Sequence, residues 1–197
     1  MWNEKYNRTD FLYGTQPNDF LQQACKNLPP NQTILCLAEG EGRNAVYLAE
    51  CGHQVIAVDA SQVGLDKAQA LAKQRGVKIQ THCIDLAEFN FKQQTWDVVV
   101  SIFCHLPPTL RAQVHQQVEQ QLNDGGLFIL EAYAPKQLAY NSGGPKAESL
   151  LVELNAIKQE FSQLHWLHHC ELERDIYEGT GHTGLGCVTQ LIGQKQH

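Results

Sequence analysis

The stretch TILCLAEGEGRNAVYLAECGHQVIAVDAS, residues 33–61, limits the possible folds more than any other part of the chain. Thr33 to Ala38 is a short apolar run, broken by Glu39-Gly40-Glu41-Gly42. Asn44 to Cys51 carries Ala45, Leu48 and Ala49 at helical spacing, and Gly52 stops it. Gln54 to Val58 is a second apolar run, closed by Asp59. The pattern is strand, glycine turn, helix, strand, acid. Glycine suits such a turn because the chain bends sharply there and a Cβ would hold a ligand off the backbone. An acid at the tip of the second strand can accept two hydrogen bonds from a ribose diol. The unit therefore predicts a nucleoside-containing ligand at the carboxyl ends of parallel strands.

Gly40-x-Gly42-x-x-Ala45 also satisfies the loose dinucleotide fingerprint, with Asp59 at a suitable distance. A dinucleotide sets its pyrophosphate on the helix N-terminus, where Glu39 and Glu41 would oppose it. S-adenosylmethionine has no phosphate, and its ammonium and sulfonium are cations that such carboxylates favour. The charges point to S-adenosylmethionine. A small NAD(P)-dependent oxidoreductase and a non-catalytic S-adenosylmethionine-binding module are the alternatives.

With 197 residues, 43% apolar and 18% charged, the chain reads as one domain spanning 1–197 with a full core. A net charge of −6, with no run among its 15 basic residues, argues against nucleic acid as a partner. The start MWNEKYNRTDF has no apolar leader pattern, and no stretch approaches a membrane span, so a cytoplasmic protein without membrane contact is expected. Seven cysteines without a CxxC pair read as reduced, with Cys36, Cys51 and Cys83 inside apolar patterns. His165, His168, His169 and Cys170 share a predicted strand whose alternate residues face opposite sides, so no metal site is expected.

Residues 1–17 read as irregular but aromatic, with Trp2, Tyr6, Phe11 and Tyr13. Asn18 is placed to cap a helix running to about Asn27, and Ser61 to cap one ending at Gln74 before Gly76. Val77–Cys83 is predicted as a strand, followed by Asp85 and Leu86. WDVVVSIF, residues 96–103, is apolar enough to be a central strand covered on both faces. Pro107-Pro108 opens a helix to Leu122, and Asp124-Gly125-Gly126 turns into a strand from Leu127 to Tyr133. A polar loop with Gly143-Gly144-Pro145, a helix over 149–161 and two strands, 163–177 and 185–195, complete the chain. The alternation gives an α/β fold with helices on both faces of a sheet.

LCLAEGEGRNAVYLA and VIAVDAS resemble the first two motifs of class I S-adenosylmethionine-dependent methyltransferases, and more narrowly the tellurite-resistance and thiopurine branch. Ala38 departs from the pattern by standing where the first glycine is usual. Trp2-x-x-x-Tyr6 and Tyr13-Gly14-x-x-Pro17-Asn18 are similar to the start of the tellurite-resistance enzymes, in which this segment folds over the cofactor. The resemblance implies a Rossmann-like seven-stranded sheet of order 3-2-1-4-5-7-6 with the last strand antiparallel. It implies a cofactor site of Trp2, Tyr13, Ala38, Glu39, Gly40, Gly42, Asp59, Ala60, Asp85, Leu86 and Phe103. Asp85 would hold the adenine amine, and Gly143-Gly144-Pro145 would border the substrate.

Methyl transfer from a sulfonium needs positioning and exclusion of water more than acid–base help. A soft anion such as a thiolate or a tellurium or selenium oxyanion needs little assistance, whereas an oxygen or nitrogen nucleophile needs a general base. His105, after the central strand, is the candidate base; Tyr133 and Arg43 are candidates for orienting the acceptor. Arg8, Arg43, Arg111 and Arg174 are the candidate grips for an oxyanion. The expected protein is a methyltransferase for a small-molecule acceptor, monomeric or homodimeric.

Overall fold

A computed structural model describes residues 1–196. Its order is α1 (Trp2–Tyr6), α2 (Asp19–Ala24), β1 (Thr33–Leu37), α3 (Arg43–Glu50), β2 (Gln54–Asp59), α4 (Gln62–Arg75) and β3 (Gln80–Cys83). β4 (Trp96–Ile102), α5 (Pro108–Gln121), β5 (Leu122–Tyr133), α6 (Leu154–Gln159), β6 (Leu164–Glu178) and β7 (His182–Lys195) follow. The seven strands form one sheet in the order β3-β2-β1-β4-β5-β7-β6. The first five run parallel, and β7 pairs antiparallel with both β5 and β6.

The unbroken apolar runs have a direct physical cause. In β1, Leu35 and Leu37 enter one core while Ile34 and Cys36 enter the other; in β4, Trp96 and Val99 face the first and Val98, Val100 and Ile102 the second. Both faces of the central strands are dry, so no polar alternation survives. Local capping sets the helix ends. The Asn18 side chain accepts from Leu21 N–H, the Ser61 side chain accepts from Gly64 N–H, and Gly76 ends α4 at φ 72°.

Five expectations are corrected. The N-terminal segment is not wholly irregular, because Trp2–Tyr6 forms a short helix fixed by Asn3, whose side chain meets the Ser61 hydroxyl at 2.6 Å. β3 begins at Gln80 and not at Val77, whose N–H is used to close α4 onto Ala72. β5 begins at Leu122, and Asp124-Gly125-Gly126 lies inside it as an irregularity where the register with β4 shifts. The helix expected over 149–161 shrinks to α6, because Val152 N–H is drawn to the Tyr133 carbonyl at 2.8 Å. Cys51 and Cys83 are exposed, while Cys36 is in the core; all seven thiols are free.

Candidate active site

The carboxyl ends of β1, β2 and β4 converge on the glycine turn. Gly40 and Gly42 lie at φ 63° and 88°, a region that favours glycine. The crowding there is internal: a Cβ on Gly40 would overlap the Tyr6 hydroxyl, and one on Gly42 would overlap Ala68 of α4. The glycines thus admit the N-terminal segment and the α3–α4 packing. Ala38 and Phe103 also hold positive φ, 48° and 51°, at the ends of β1 and β4. Backbone strain of this kind, about 1–3 kcal/mol each, persists where the surroundings enforce it and gathers at functional sites.

Glu39 turns back onto α3, accepting from Asn44 N–H at 3.0 Å and Ala45 N–H at 2.8 Å. Two donors at this helix N-terminus are therefore already taken by the Glu39 side chain. Burial pushes Glu39 up to about 7, against the pull of those N–H groups. A folded value above the 4.5 of the free group means that the folded protein holds the extra proton between them. Stability from this group is present below 4.5 and is lost as pH rises to about 7. Glu39→Gln keeps an acceptor without ionising, so its stability relative to the native chain should improve by about 1–3 kcal/mol from acid to pH 8 in urea titrations. A constant difference across that range would exclude the linkage.

Asp59, buried at the tip of β2, binds Gly40 N–H through Oδ2 at 2.8 Å and Ser61 N–H through Oδ1 at 2.7 Å. Each oxygen keeps a second lone pair, so a diol remains an acceptable partner. Asp85 is exposed and its Oδ1 accepts from Ala87 N–H, capping the turn after β3, while Leu86 is buried in the core below it. Ala60 is exposed beside Asp59.

The N-terminal segment covers the turn. Glu41 accepts from Leu12 N–H at 2.8 Å and pairs with Lys67, whose ammonium also gathers the carbonyls of Tyr6, Arg8 and Asp10. Tyr6, not singled out from sequence for the cofactor site, is the buried aromatic on the turn; Trp2 is 37% exposed and stacks on it at 5.5 Å. The WxxxY spacing was the available signal, because one helical turn places both rings on one face.

Beyond Phe103 lies a cluster of rings. Phe103 is 4.7 Å from Tyr133, 4.4 Å from His182 and 6.3 Å from His105, and Tyr13 lies 4.5 Å from His182. His105 is half-buried, with Nδ1 on the Leu150 carbonyl at 2.9 Å, and burial lowers its pKa to about 4. Its Nε2 and the Tyr133 hydroxyl are enclosed without a hydrogen-bond partner, which is costly unless a ligand completes them. The four arginines do not converge here as free cations. Arg8 pairs with Asp10, Arg43 with Glu178, Arg111 with Glu160 and Arg174 with Glu131. A cleft of about 130 Å³ between residues 13–19 and Tyr177–Gly179 borders the cluster. The larger cleft, about 660 Å³ beside Asp124, Ser162 and Lys195, contains none of these residues.

Residues 34–126 match the family described as "Methyltransferase domain". A 2-heptyl-1-hydroxyquinolin-4(1H)-one methyltransferase of Mycobacteroides abscessus is 25% identical over 109 residues, which is 54% of this chain and 48% of that protein. The match thus spans about half the length of this curated relative. TehB from Haemophilus influenzae superimposes with a TM-score of 0.75 at 20% identity, over 99% of this chain and 66% of its own. The N-methyltransferase NodS from Bradyrhizobium japonicum, in complex with S-adenosyl-L-homocysteine, gives 0.77 at 11% identity, over 100% and 97%. At these identities the likeness to solved structures establishes the fold, and the family match adds the domain. The chain therefore has the Rossmann-like fold of these solved methyltransferases, and its residues 34–126 match the methyltransferase-domain family.

Proposed function

We propose that the protein transfers a methyl group from S-adenosylmethionine to a small-molecule acceptor. The observation that carries this reading is the occupation of the α3 N-terminus by Glu39, with Glu41 alongside. A pyrophosphate would find the Asn44 and Ala45 N–H groups already taken and the Glu41 carboxylate against it, whereas a cationic methyl donor meets neither obstacle. Asp59 would hold the ribose through its spare lone pairs, the Gly40–Gly42 turn would carry the methionine portion, and Asp85 with Leu86 would flank the adenine. Residues 1–17, tied down through Lys67 and Leu12, would exclude water as a lid, with Trp2 and Tyr13 part of that cover. When bound, the cofactor supplies the activated methyl group. Phe103, His105 and Tyr133 line the side from which the acceptor comes.

Of the acceptor classes implied by the resemblance, a thiol or thiopurine-like molecule is favoured over a tellurite- or selenite-like oxyanion. Every arginine available to grip an oxyanion is already bound to a carboxylate. Seven free thiols suit a reducing, cytoplasmic setting, and no helix among the described residues is long and apolar enough to cross a membrane.

Thermal-shift titration tests the cofactor reading. S-adenosylhomocysteine at 100 times its dissociation constant should add ~2.7 kcal/mol, visible as a rise of several degrees, while NADH gives none. A rise with NADH alone would overturn it in favour of a dinucleotide enzyme.

A further inference from the structure

Glu178 and His182 sit opposite each other where β6 and β7 join. Their pairing puts both side chains on one face of the hairpin, and His182 Nδ1 lies 2.9 Å from Glu178 Oε2. Glu178 is fixed from two further sides, by Arg43 Nη2 at 2.7 Å and Asn18 Nδ2 at 2.9 Å. Although burial pushes its carboxyl up, the bonds from His182 and Arg43 hold it at about 2. It is therefore an anion that only accepts, so the proton of a neutral His182 sits on Nδ1. The lone pair then resides on Nε2, which no hydrogen bond engages among the described residues. The imidazole touches Tyr13, Phe103 and Tyr133, in the cluster that holds the two unpartnered polar atoms, His105 Nε2 and the Tyr133 hydroxyl.

We infer that His182, oriented by Glu178, is the general base of methyl transfer to an uncharged aromatic acceptor bearing an ionisable O–H or S–H. The inference rests on the methyltransferase reading above and deepens it by naming the acceptor chemistry. The acceptor's X–H bond breaks and its proton passes to His182 Nε2. The freed electron pair forms the X–CH₃ bond, and the methyl–sulfur bond breaks with its electrons going to sulfur, which leaves as a neutral thioether. The imidazolium is stabilised by Glu178 and later loses its proton to solvent. Rings at Phe103, Tyr13 and Tyr133 suit a flat acceptor, and the pairing of Arg8, Arg43, Arg111 and Arg174 with carboxylates leaves none of these four to neutralise a charged one. His105 is the weaker base, since its Nδ1 meets a carbonyl and no carboxylate; its Nε2 orients the acceptor's X–H group.

The test uses the full chain, with a phenol, an aryl thiol already ionised at mildly basic pH, and tellurite as acceptors, and with S-adenosylhomocysteine binding followed by calorimetry. His182→Gln should slow transfer to the phenol ~10²–10⁴-fold and remove the acidic limb of its pH profile. Transfer to the ionised thiol should fall far less, and S-adenosylhomocysteine affinity should stay unchanged. Glu178→Gln should move the acidic limb. The groups facing His182 whose charges shape that limb are Glu178 on β6, Arg43 on α3 and Glu131 on β5, with Tyr13, Tyr133 and His105 around the ring. Equal slowing of phenol and thiol, or a native chain that binds S-adenosylhomocysteine but methylates tellurite and neither aryl acceptor, would overturn the assignment. So would a native chain that binds it and methylates nothing in the panel. Failure to bind S-adenosylhomocysteine at all would instead bring down the cofactor reading and this inference with it. Nitrogen NMR of the native chain gives a check independent of turnover: Nδ1 must carry the proton and Nε2 none, and the reverse tautomer overturns the proposal.

Discussion

Arg174→Met is expected to cost ~3–5 kcal/mol of stability, the range for removing one partner of a buried ion pair. Glu131 stands on β5 with no solvent exposure, and Arg174 reaches it from β6 through Nε and Nη2. Asn18 and Gln190 supply the remaining hydrogen bonds, but both are neutral. Methionine keeps most of the apolar stem and removes the charge, so the loss reports the carboxylate left without its cation. Urea denaturation measures it, and Arg174→Met combined with Glu131→Gln should recover part of the loss because no charge then stays buried. A loss under ~1 kcal/mol would mean that the pair behaves as a solvated surface contact.

Asp59→Ala is expected to weaken S-adenosylhomocysteine binding by ~1.5–3 kcal/mol, the range for a hydrogen bond to a charged group. The geometry adds a second effect. Asp59 ties the glycine turn, through Gly40 N–H, to the start of α4, through Ser61 N–H. Alanine leaves both donors without this acceptor in buried surroundings, so the melting temperature of the ligand-free chain should fall as well. Asp59→Asn separates the two effects, since it retains one acceptor oxygen for the turn while lacking the charge. Unchanged affinity in both variants would remove Asp59 from the cofactor site. Lost affinity with an unchanged melting temperature would mean that the turn does not depend on it.

The elements legible from sequence were those decided by local chemistry. The alternating strands and helices followed from apolar periodicity, and the caps at Asn18, Ser61 and Gly76 from side chains that bond their own neighbourhood. Elements decided by distant partners were misread. The helix expected over 149–161 lost its first turns to a hydrogen bond with Tyr133, and α1 exists because Asn3 and Lys67 pin the N-terminal segment to α4. The acids of the glycine turn were singled out as the feature opposing a phosphate, but their partners were not legible: Glu39 closes on α3 and Glu41 on Lys67.

By itself the sequence determined the βαβ unit, the acid at Asp59 and the doubly covered central strands. Each follows from residues close together in the chain. Only the tertiary structure decided that His182 meets Glu178 and turns its ring toward Phe103, and that all four candidate arginines are already paired. The one local hint of the dyad was the E-x-x-x-H spacing across the closing hairpin, which reads as a cross-strand pair only once the register of β6 and β7 is known. The physical reason is that a charge's partner and a base's lone pair are set by contacts across the sheet, and no local periodicity encodes them.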